Sequence, residues 1–272
     1  MTSTEWNPSS PDLTDEMWEL IRPVFEPKPW GRSKMGRPRK WAYRVLVEAV
    51  FYVGISGCQW RLLPEKYPPW STVHRYHLRW SKDGTWETAC DLLVALERQQ
   101  ASRDVEPSAA IIDARSVKSA STVCGLSRGY DAGKKILGRK LFAVVDTLGL
   151  LLAVVVVAAN VSDNVGGALA MDRAAAKSRR LTKLWADMGF KKTFIANVAA
   201  NHGIETEIVS VKDLHTFKVQ PRRWVVERTY SWLVNHRRLR IDYERDPQVT
   251  EGFVYAAHTL MLLRRLTTPT TP

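Results

Sequence analysis

Three acidic side chains of this 272-residue chain, Asp113, Asp187 and Glu227, stand at the ends of apolar runs. An acidic group beside buried apolar residues costs free energy unless it lies at an exposed edge or binds a partner. Carboxylate oxygens are ligands that Mg²⁺ and Mn²⁺ prefer, and two ions about 4 Å apart can stabilise the attacking and leaving oxygens of a phosphoryl transfer. The three positions therefore predict a site for two metal ions, provided that the fold brings them together.

Each of these acids also has an ordinary interpretation. The chain holds 28 acidic residues, and a single one is commonly a surface group or a helix cap. Glu227 alone could pair with Arg223 or Arg228. Three other acids that stand near apolar runs compete for the same role, namely Asp131, Asp146 and Asp163. The separations (187 − 113 = 74 and 227 − 187 = 40) and the order of the surrounding elements favour the first trio.

Residues 107–266 predict an RNase H-like catalytic domain of the α/β class, in which a mixed five-stranded sheet carries the acids. The periodicity favours strands at 111–120, 140–149, 151–160, 183–190 and 204–211, with helices at 164–178, 192–202 and 221–239. Three antiparallel strands followed by alternating helix and strand are typical of that layered fold. Residues 101–110 have the composition of a linker.

One stretch of this region has the length of a membrane span. Residues 141–159 are almost entirely apolar, and about 20 such residues can cross a bilayer as a helix. However, Asp146 begins the turn-like string DTLG in the middle of the stretch, and a charge at the bilayer centre costs a few kcal/mol (about 3). A buried β-hairpin is therefore predicted here, and no membrane contact is expected.

Residues 10–100 predict a small helical domain that resembles a helix-turn-helix unit. Thr14 is placed to cap a first helix. A second helix is expected from Trp41 to Val53, ended by Gly54 and Gly57, and a third is expected to begin near Ser71, with Ser71 as its N-cap. A last helix is expected at 86–100. The third helix is either a DNA recognition helix or a solvated helix with an aromatic core face, and the pattern leaves both open.

The charge of the chain favours a polyanionic partner. The formal net charge is +12 and the pI is about 9.8, which is typical of proteins that bind double-stranded DNA and less so of basic proteins with no such role. The basic side chains in the GRPRK arm, the third helix and the region around Glu227 are expected to contact DNA; these are Arg37, Arg39, Lys40, His74, Arg75, Arg79, Arg223, Arg228, Arg237 and Arg238.

Cysteine usage and the first residues indicate the compartment. The three cysteines form no CxxC pair, so a zinc site or a disulfide framework is not expected and a reducing cytoplasm fits. The polar, acidic string MTSTEWNPSSPDLTDE does not have the apolar core of a signal peptide.

Several long strings carry a resemblance that covers about residues 12–266. IIDARSVKSA, KLFAVVDTLGLLLAVVVVAANVSDN, LWADMGF and PRRWVVERTYSWLVNHRRL, together with LTDEMWELIRPVF and PPWSTVHRYHLRW, resemble the DDE transposases of bacterial insertion sequences, in particular the insertion sequence five group. The resemblance implies an RNase H-like catalytic fold, Mg²⁺ or Mn²⁺, and the assignment of the two aspartates and the glutamate to Asp113, Asp187 and Glu227. It also implies basic residues after the glutamate, matched by Arg228, Arg237 and Arg238.

The chain departs from that family's pattern at one step. Where the family commonly has Gly-Gly-Tyr after the second aspartate, this chain has Met188, Gly189 and Phe190. Because Asp187 is kept, we expect metal binding to survive. We expect the missing tyrosine hydroxyl to alter contacts with DNA.

The sequence thus predicts a transposase that binds the ends of its mobile element and catalyses metal-dependent strand cleavage and strand transfer into target DNA. It is expected to act as a homo-oligomer on DNA, in the cytoplasm and associated with the nucleoid. Two alternatives stay open: a transposase-derived regulator that only binds DNA, and an RNase H-like nuclease that only hydrolyses it.

Overall fold

A computed structural model describes residues 10–26, 40–123, 125–209 and 223–268. The helices are α1 Asp15–Phe25, α2 Tyr43–Ser56, α3 Trp70–Lys82, α4 Thr85–Gln100, α5 Asp163–Lys177, α6 Lys192–His202, α7 Arg223–Leu233 and α8 Pro247–Thr267. The strands are β1 Ala109–Lys118, β2 Gly129–Asp131, β3 Ile136–Asp146, β4 Leu151–Ala158, β5 Lys183–Ala186 and β6 Glu205–Ile208.

The helical first half follows the predicted pattern, with one shifted start. The Thr14 hydroxyl accepts the N–H of Met17, as expected of an N-cap, and α2 ends at Gly57, whose φ of 67° suits a residue without a side chain. The prediction that Ser71 caps the third helix is wrong. Helix α3 begins at Trp70 after Pro69, because the fixed backbone of proline leads into the first turn without a side-chain cap.

The sheet confirms the predicted α/β class with an RNase H-like arrangement. Its strand order is β4–β3–β1–β5–β6, in which β1, β3 and β4 are antiparallel neighbours while β5 and β6 run parallel to β1. Strand β2 adds a sixth strand to the five predicted. It pairs with residues 136–138 at the start of β3. The same edge of β3 pairs with β4 from Arg139 onwards. Three residues are too few for a periodic pattern to reveal such a strand.

The predicted hairpin is confirmed as β3 and β4. The Asp146 carboxylate closes its turn by accepting the N–H groups of Leu148 at 2.8 Å and Leu150 at 2.9 Å. The same buried carboxylate pairs with Arg98 of α4. Asp146, a competitor for the metal site, therefore stabilises the turn instead. Among the described residues, no helix is long and apolar enough to cross a membrane.

Helix α7 is shorter than predicted. It ends at Leu233 and is followed by a turn and a short 3-10 helix at Arg237–Leu239, whereas the sequence predicted one helix to residue 239. Asn235 and His236, at the break, are weak helix formers. The buried guanidinium of Arg238 donates to Glu244 at 2.8 Å, so the chain must turn to bring the two together.

Helix α8, which the sequence analysis did not predict, covers the outer edge of β4. Side chains of α8 accept the strand's N–H groups: His258 from Leu151 at 3.1 Å, Tyr255 from Val154 at 3.3 Å and Glu251 from Val156 at 2.9 Å. An uncovered edge strand would present unpaired N–H and C=O groups to other chains. Because α8 also packs against α3 and α4, the division into domains at 10–100 and 107–266 stays a prediction.

Three histidines buried in this packing predict acid sensitivity. Burial lowers the pKa of His77 and of His258 to about 3, and that of His236 to about 4, from an unfolded value near 6.5. Below pH 6.5 the unfolded chain therefore binds protons that the folded rings do not. The free energy of unfolding should fall as the pH falls towards 4, by about 1.4 kcal/mol per pH unit for each ring.

The change that tests this is His77→Gln, because glutamine can still accept the N–H of Trp86 that His77 accepts at 3.0 Å. Urea unfolding at several pH values between 7 and 4 gives the free energy of unfolding at each pH. This free energy should depend less steeply on pH in His77→Gln than in the unsubstituted chain, by about the 1.4 kcal/mol per pH unit that one bound proton contributes. Equal slopes in the two proteins would contradict a neutral, buried His77.

Candidate active site

The first two acids of the predicted trio lie on neighbouring parallel strands. Asp113 is on β1, and Asp187 directly follows β5. The parallel pairing of β1 with β5 ends at Ile111 and Trp185, two residues before Asp113 and Asp187 respectively. Both acids therefore follow the paired segment of these neighbouring strands, and both are half-buried.

A third carboxylate, which the sequence analysis counted only as a competitor, lies beside Asp187. A Cβ added to Gly189 would stand 2.7 Å from Asp163 Oδ2 and 2.9 Å from Asp187 Oδ1, so both oxygens border the space that this glycine leaves open. Asp187 Oδ1 also accepts the N–H of Gly189 at 2.8 Å. Lys140 Nζ, 3.0 Å from Asp163 Oδ1, balances one of the two charges.

The turn that carries Asp187 is held by the start of α5. Asn164 Oδ1 accepts the N–H of Lys191 at 2.9 Å, and its Nδ2 donates to Thr193 Oγ1 at 2.8 Å. Phe190 is 2% exposed and packs 4.8 Å from the ring of Phe194. Phe190 is therefore a core packing residue, which does not support the expectation that the absent tyrosine hydroxyl alters contacts with DNA.

Helix α7, which carries Glu227, packs on β1. Its Tyr230 hydroxyl lies 3.0 Å from the carbonyl oxygens of both Asp113 and Leu141. Burial, together with the charge of Asp113, holds the pKa of Tyr230 well above its usual value, so the phenol stays protonated and can donate. Glu227 is exposed and lies one helical turn before Tyr230 on the same helix.

A second attachment fixes α7 to the hairpin turn. Arg228 Nη2 donates to the carbonyl oxygen of Leu148 at 2.9 Å, and its guanidinium lies between the rings of Trp224 and Trp232, 4.4 and 4.6 Å from their centroids. Thr229 Oγ1 donates to the carbonyl oxygen of Gly149 at 2.8 Å. Arg228 thus anchors the helix, which does not support its predicted contact with DNA.

The remaining predicted DNA contacts lie in different environments. Lys40, Arg75, Arg79 and Arg237 are exposed. His74 is half-buried with its ring 5.0 Å from that of Trp60, and burial lowers its pKa, so it is a neutral packing residue at pH 7. Arg37 and Arg39, and the side chain of Arg223, lie outside the described residues.

The surroundings of Arg238 do not support its predicted contact with DNA. Its side chain is 7% exposed, and its Nη1 donates to the carbonyl oxygen of Cys58 at 3.1 Å while Nε donates to Glu244. The contact with Cys58 cannot be inferred from local pattern, because the two residues are 180 positions apart along the chain.

The donor chemistry of the site fits a divalent metal ion, although the three predicted ligands do not close around one point. In the part of the chain that the structure describes, no group of three His, Cys, Asp or Glu side chains lies within metal-binding distance. Asp113 and Asp187 nevertheless offer partly exposed oxygens from rigid strands, and Glu227 extends from the exposed face of a doubly anchored helix. Hard cations such as Mg²⁺ prefer such carboxylate ligands together with water.

Comparison with known families agrees with this arrangement. Residues 105–262, more than half of the chain, match the family model described as "Transposase DDE domain". The chain belongs to the DDE transposase family. Residues 13–90 match a second model, described as "Putative transposase of IS4/5 family", which agrees with the resemblance of both halves to insertion-sequence transposases.

Individual relatives of this DDE transposase are similar over part of their length. It is 33% identical over 125 residues to the "Putative transposase for insertion sequence element IS402" of Burkholderia cepacia, an alignment that covers 43% of this chain and 59% of the relative. It is 28% identical over 112 residues to the "Insertion element IS402 uncharacterized 16.2 kDa protein" of the same organism, covering 40% of this chain and 75% of the relative. The alignment thus spans less than two thirds of the first relative.

Gly189→Ala should impair metal-dependent DNA cleavage, because the added Cβ would displace the carboxylates of Asp163 and Asp187. A shift of about 1 Å in a catalytic group costs on the order of a hundredfold in rate. Cleavage rates on a DNA duplex and the melting temperature should be measured together. Gly125→Ala is the matched control, since a Cβ there meets nothing within 4 Å. Equal cleavage rates in the two variants would contradict the assignment.

Tyr230→Phe should loosen α7 over β1. The loss of the hydroxyl leaves the carbonyl groups of Asp113 and Leu141 without this partner, which should lower the free energy of unfolding by about 1 to 2 kcal/mol. Urea unfolding measures the effect. Tyr52→Phe is the control, because the hydroxyl of this half-buried tyrosine has no hydrogen bond among the described residues. Equal stability of both variants would show that the hydroxyl does not hold the helix.

Proposed function

We propose that this chain is a transposase that binds the ends of its own DNA element, cuts the DNA and joins the freed 3′ end to target DNA. The observation that carries the proposal is that Asp113 and Asp187 both follow the paired segment of the neighbouring parallel strands β1 and β5, while the Tyr230 hydroxyl of α7, the helix of Glu227, lies 3.0 Å from the carbonyl oxygen of Asp113. The membership of residues 105–262 in the DDE transposase family supports it.

Asp113, Asp187 and Glu227 would hold Mg²⁺ or Mn²⁺, as two ions. When bound, such ions activate water and stabilise the charge that develops on phosphate oxygens. Glu227 would reach the other two acids by rotation of its side chain, since its helix is already anchored. Asp163, balanced by Lys140, would keep the Asp187 carboxylate at the strand end.

The chemistry then consists of two successive in-line transfers at the same carboxylates. In the first, water attacks a phosphodiester at the element end, the P–O bond to the leaving strand breaks, and a 3′-OH is released. In the second, that 3′-OH attacks a phosphodiester of the target, which joins the two DNAs and releases a target 3′-OH. The number of phosphodiester bonds is unchanged in the joining step, so no external energy source is required.

Exposed basic residues would neutralise the DNA phosphates around this site. Arg75 and Arg79 are one helical turn apart on the exposed face of α3, and Arg237 is exposed after α7. The buried side of α3 consists of Val73, His77 and Trp80, so the helix can offer DNA only its basic face. We expect the protein to act on DNA as a homo-oligomer, in the cytoplasm and at the nucleoid.

The test is cleavage and joining of a duplex that carries the ends of the element encoding the chain, with Mg²⁺ or with a chelator. Asp113→Asn, Asp187→Asn and Glu227→Gln should each reduce cleavage by about a thousandfold while DNA binding is kept. Asp172→Asn, which removes an exposed carboxylate beside His202, is the matched control and should retain full activity.

Each other result selects a different function. Full cleavage activity of Asp113→Asn would refute the assignment of Asp113 as a metal ligand. Nicked products without joined products would identify a nuclease that only hydrolyses. Binding without any metal-dependent cleavage by the unsubstituted protein would identify a DNA-binding regulator.

A further inference from the structure

Arg115 lies on the same face of β1 as Asp113. Side chains alternate along a strand, so residues 113 and 115 point to one side, about 6.6 Å apart, while Lys118 points to the other. Arg115 is half-buried and borders a small groove between β1 and the second half of α7, lined also by Leu141, Tyr230 and Val234. Arg115 is thus two residues from Asp113 on the same face of the strand.

The charge of Arg115 has no acidic partner in the described part of the chain. Several buried or half-buried arginines do have one: Arg98 pairs with Asp146, Arg139 with Asp242, Arg173 with Glu251 and Arg238 with Glu244. Arg228 and Arg264, which are half-buried, donate to carbonyl oxygens instead. The groove around Arg115 is instead apolar apart from the Tyr230 hydroxyl, which the carbonyl groups of β1 and β3 already engage. The donors of Arg115 are therefore available to an anion supplied from outside, on the strand face that also carries Asp113.

We propose that Arg115 binds the DNA phosphate next to the one that is cleaved, and so holds the strand over Asp113. This inference rests on the proposed function. The planar guanidinium can donate two parallel hydrogen bonds to a phosphate, which fixes its position as well as its charge. Since the contact exists before and during the reaction, its loss raises KM more than it lowers kcat.

A purely structural role for Arg115 makes a different prediction. In that case the aliphatic part of the side chain covers Leu141 and Val234, and its removal lowers stability without changing how DNA binding responds to salt. The salt dependence therefore separates the two roles, because each phosphate neutralised by the protein contributes about 0.9 to the slope of log K against log salt.

The experiment measures binding of a fluorescent mixed-sequence duplex in a chelator, over a series of salt concentrations, with melting temperatures recorded for every variant. Arg115→Gln should lower the magnitude of the slope by about 0.9 and weaken binding about tenfold at the lowest salt. Arg115→Lys, which keeps the charge, should retain the slope. Lys118→Gln, on the same strand but the opposite face, is the matched control and should leave the slope unchanged.

A second measurement locates the phosphate on the element-end duplex, in which single phosphates are replaced by neutral methylphosphonates. A methylphosphonate at the position next to the cut should weaken DNA binding by the unsubstituted protein. The same methylphosphonate should not weaken DNA binding by Arg115→Gln any further. The inference would be overturned if each methylphosphonate lowered the DNA affinity of both proteins by the same factor at every position. It would also be overturned if Arg115→Gln bound DNA with an unchanged salt dependence. If Arg115→Gln does not fold, the loss of slope in Arg115→Lys overturns it.

These results do not depend on catalysis. An unsubstituted protein that binds DNA but never cleaves it would refute the proposed transposase activity. Because DNA binding is measured without metal, its salt dependence would still test the role of Arg115.

Discussion

The outer edge of β4 imposes the constraint on which the rest of the structure depends. Its N–H groups must find acceptors, and His258, Tyr255 and Glu251 of a single helix provide them. Tyr255 in turn donates to Glu87 of α4 at 3.0 Å. The helix that completes the sheet is therefore also the one against which the helical half of the chain packs, so the catalytic sheet and the basic surface of α3 share one rigid support.

Much of the sheet could be predicted because its signals are local. The string DTLG between two apolar runs marks the hairpin, and the alternation of helix and strand after it fixes the order of the remaining elements. Helix α8 could not be predicted in this way, since it is buried on nearly every side and shows no polar face. Asp246 and Pro247, a cap followed by proline in the first turn, were the available signal for its start.

The candidate site was predictable to a smaller extent. Asp187 follows the apolar residues of β5, so its position at a strand end can be inferred from local pattern. Asp113 instead lies within β1, and the pairing of β1 with β5 depends on contacts between distant segments. The roles of Arg228 and Arg238 could not be inferred from composition. Both lie in basic stretches that suggest a DNA-binding face, yet one is held between two tryptophans and the other is buried against Glu244. Asp163 was likewise hidden, because only the absence of a side chain at Gly189 lets it approach Asp187.

The late position of α8 in the sequence has a consequence for synthesis. During translation, at about 5 to 20 residues per second, β4 leaves the ribosome roughly 100 residues before the helix that covers it. For that interval the nascent sheet has an open, strongly apolar edge, and a product that stops before Glu251 keeps it permanently. Shortened forms of the chain should consequently aggregate by edge-to-edge strand pairing instead of persisting as DNA-binding fragments.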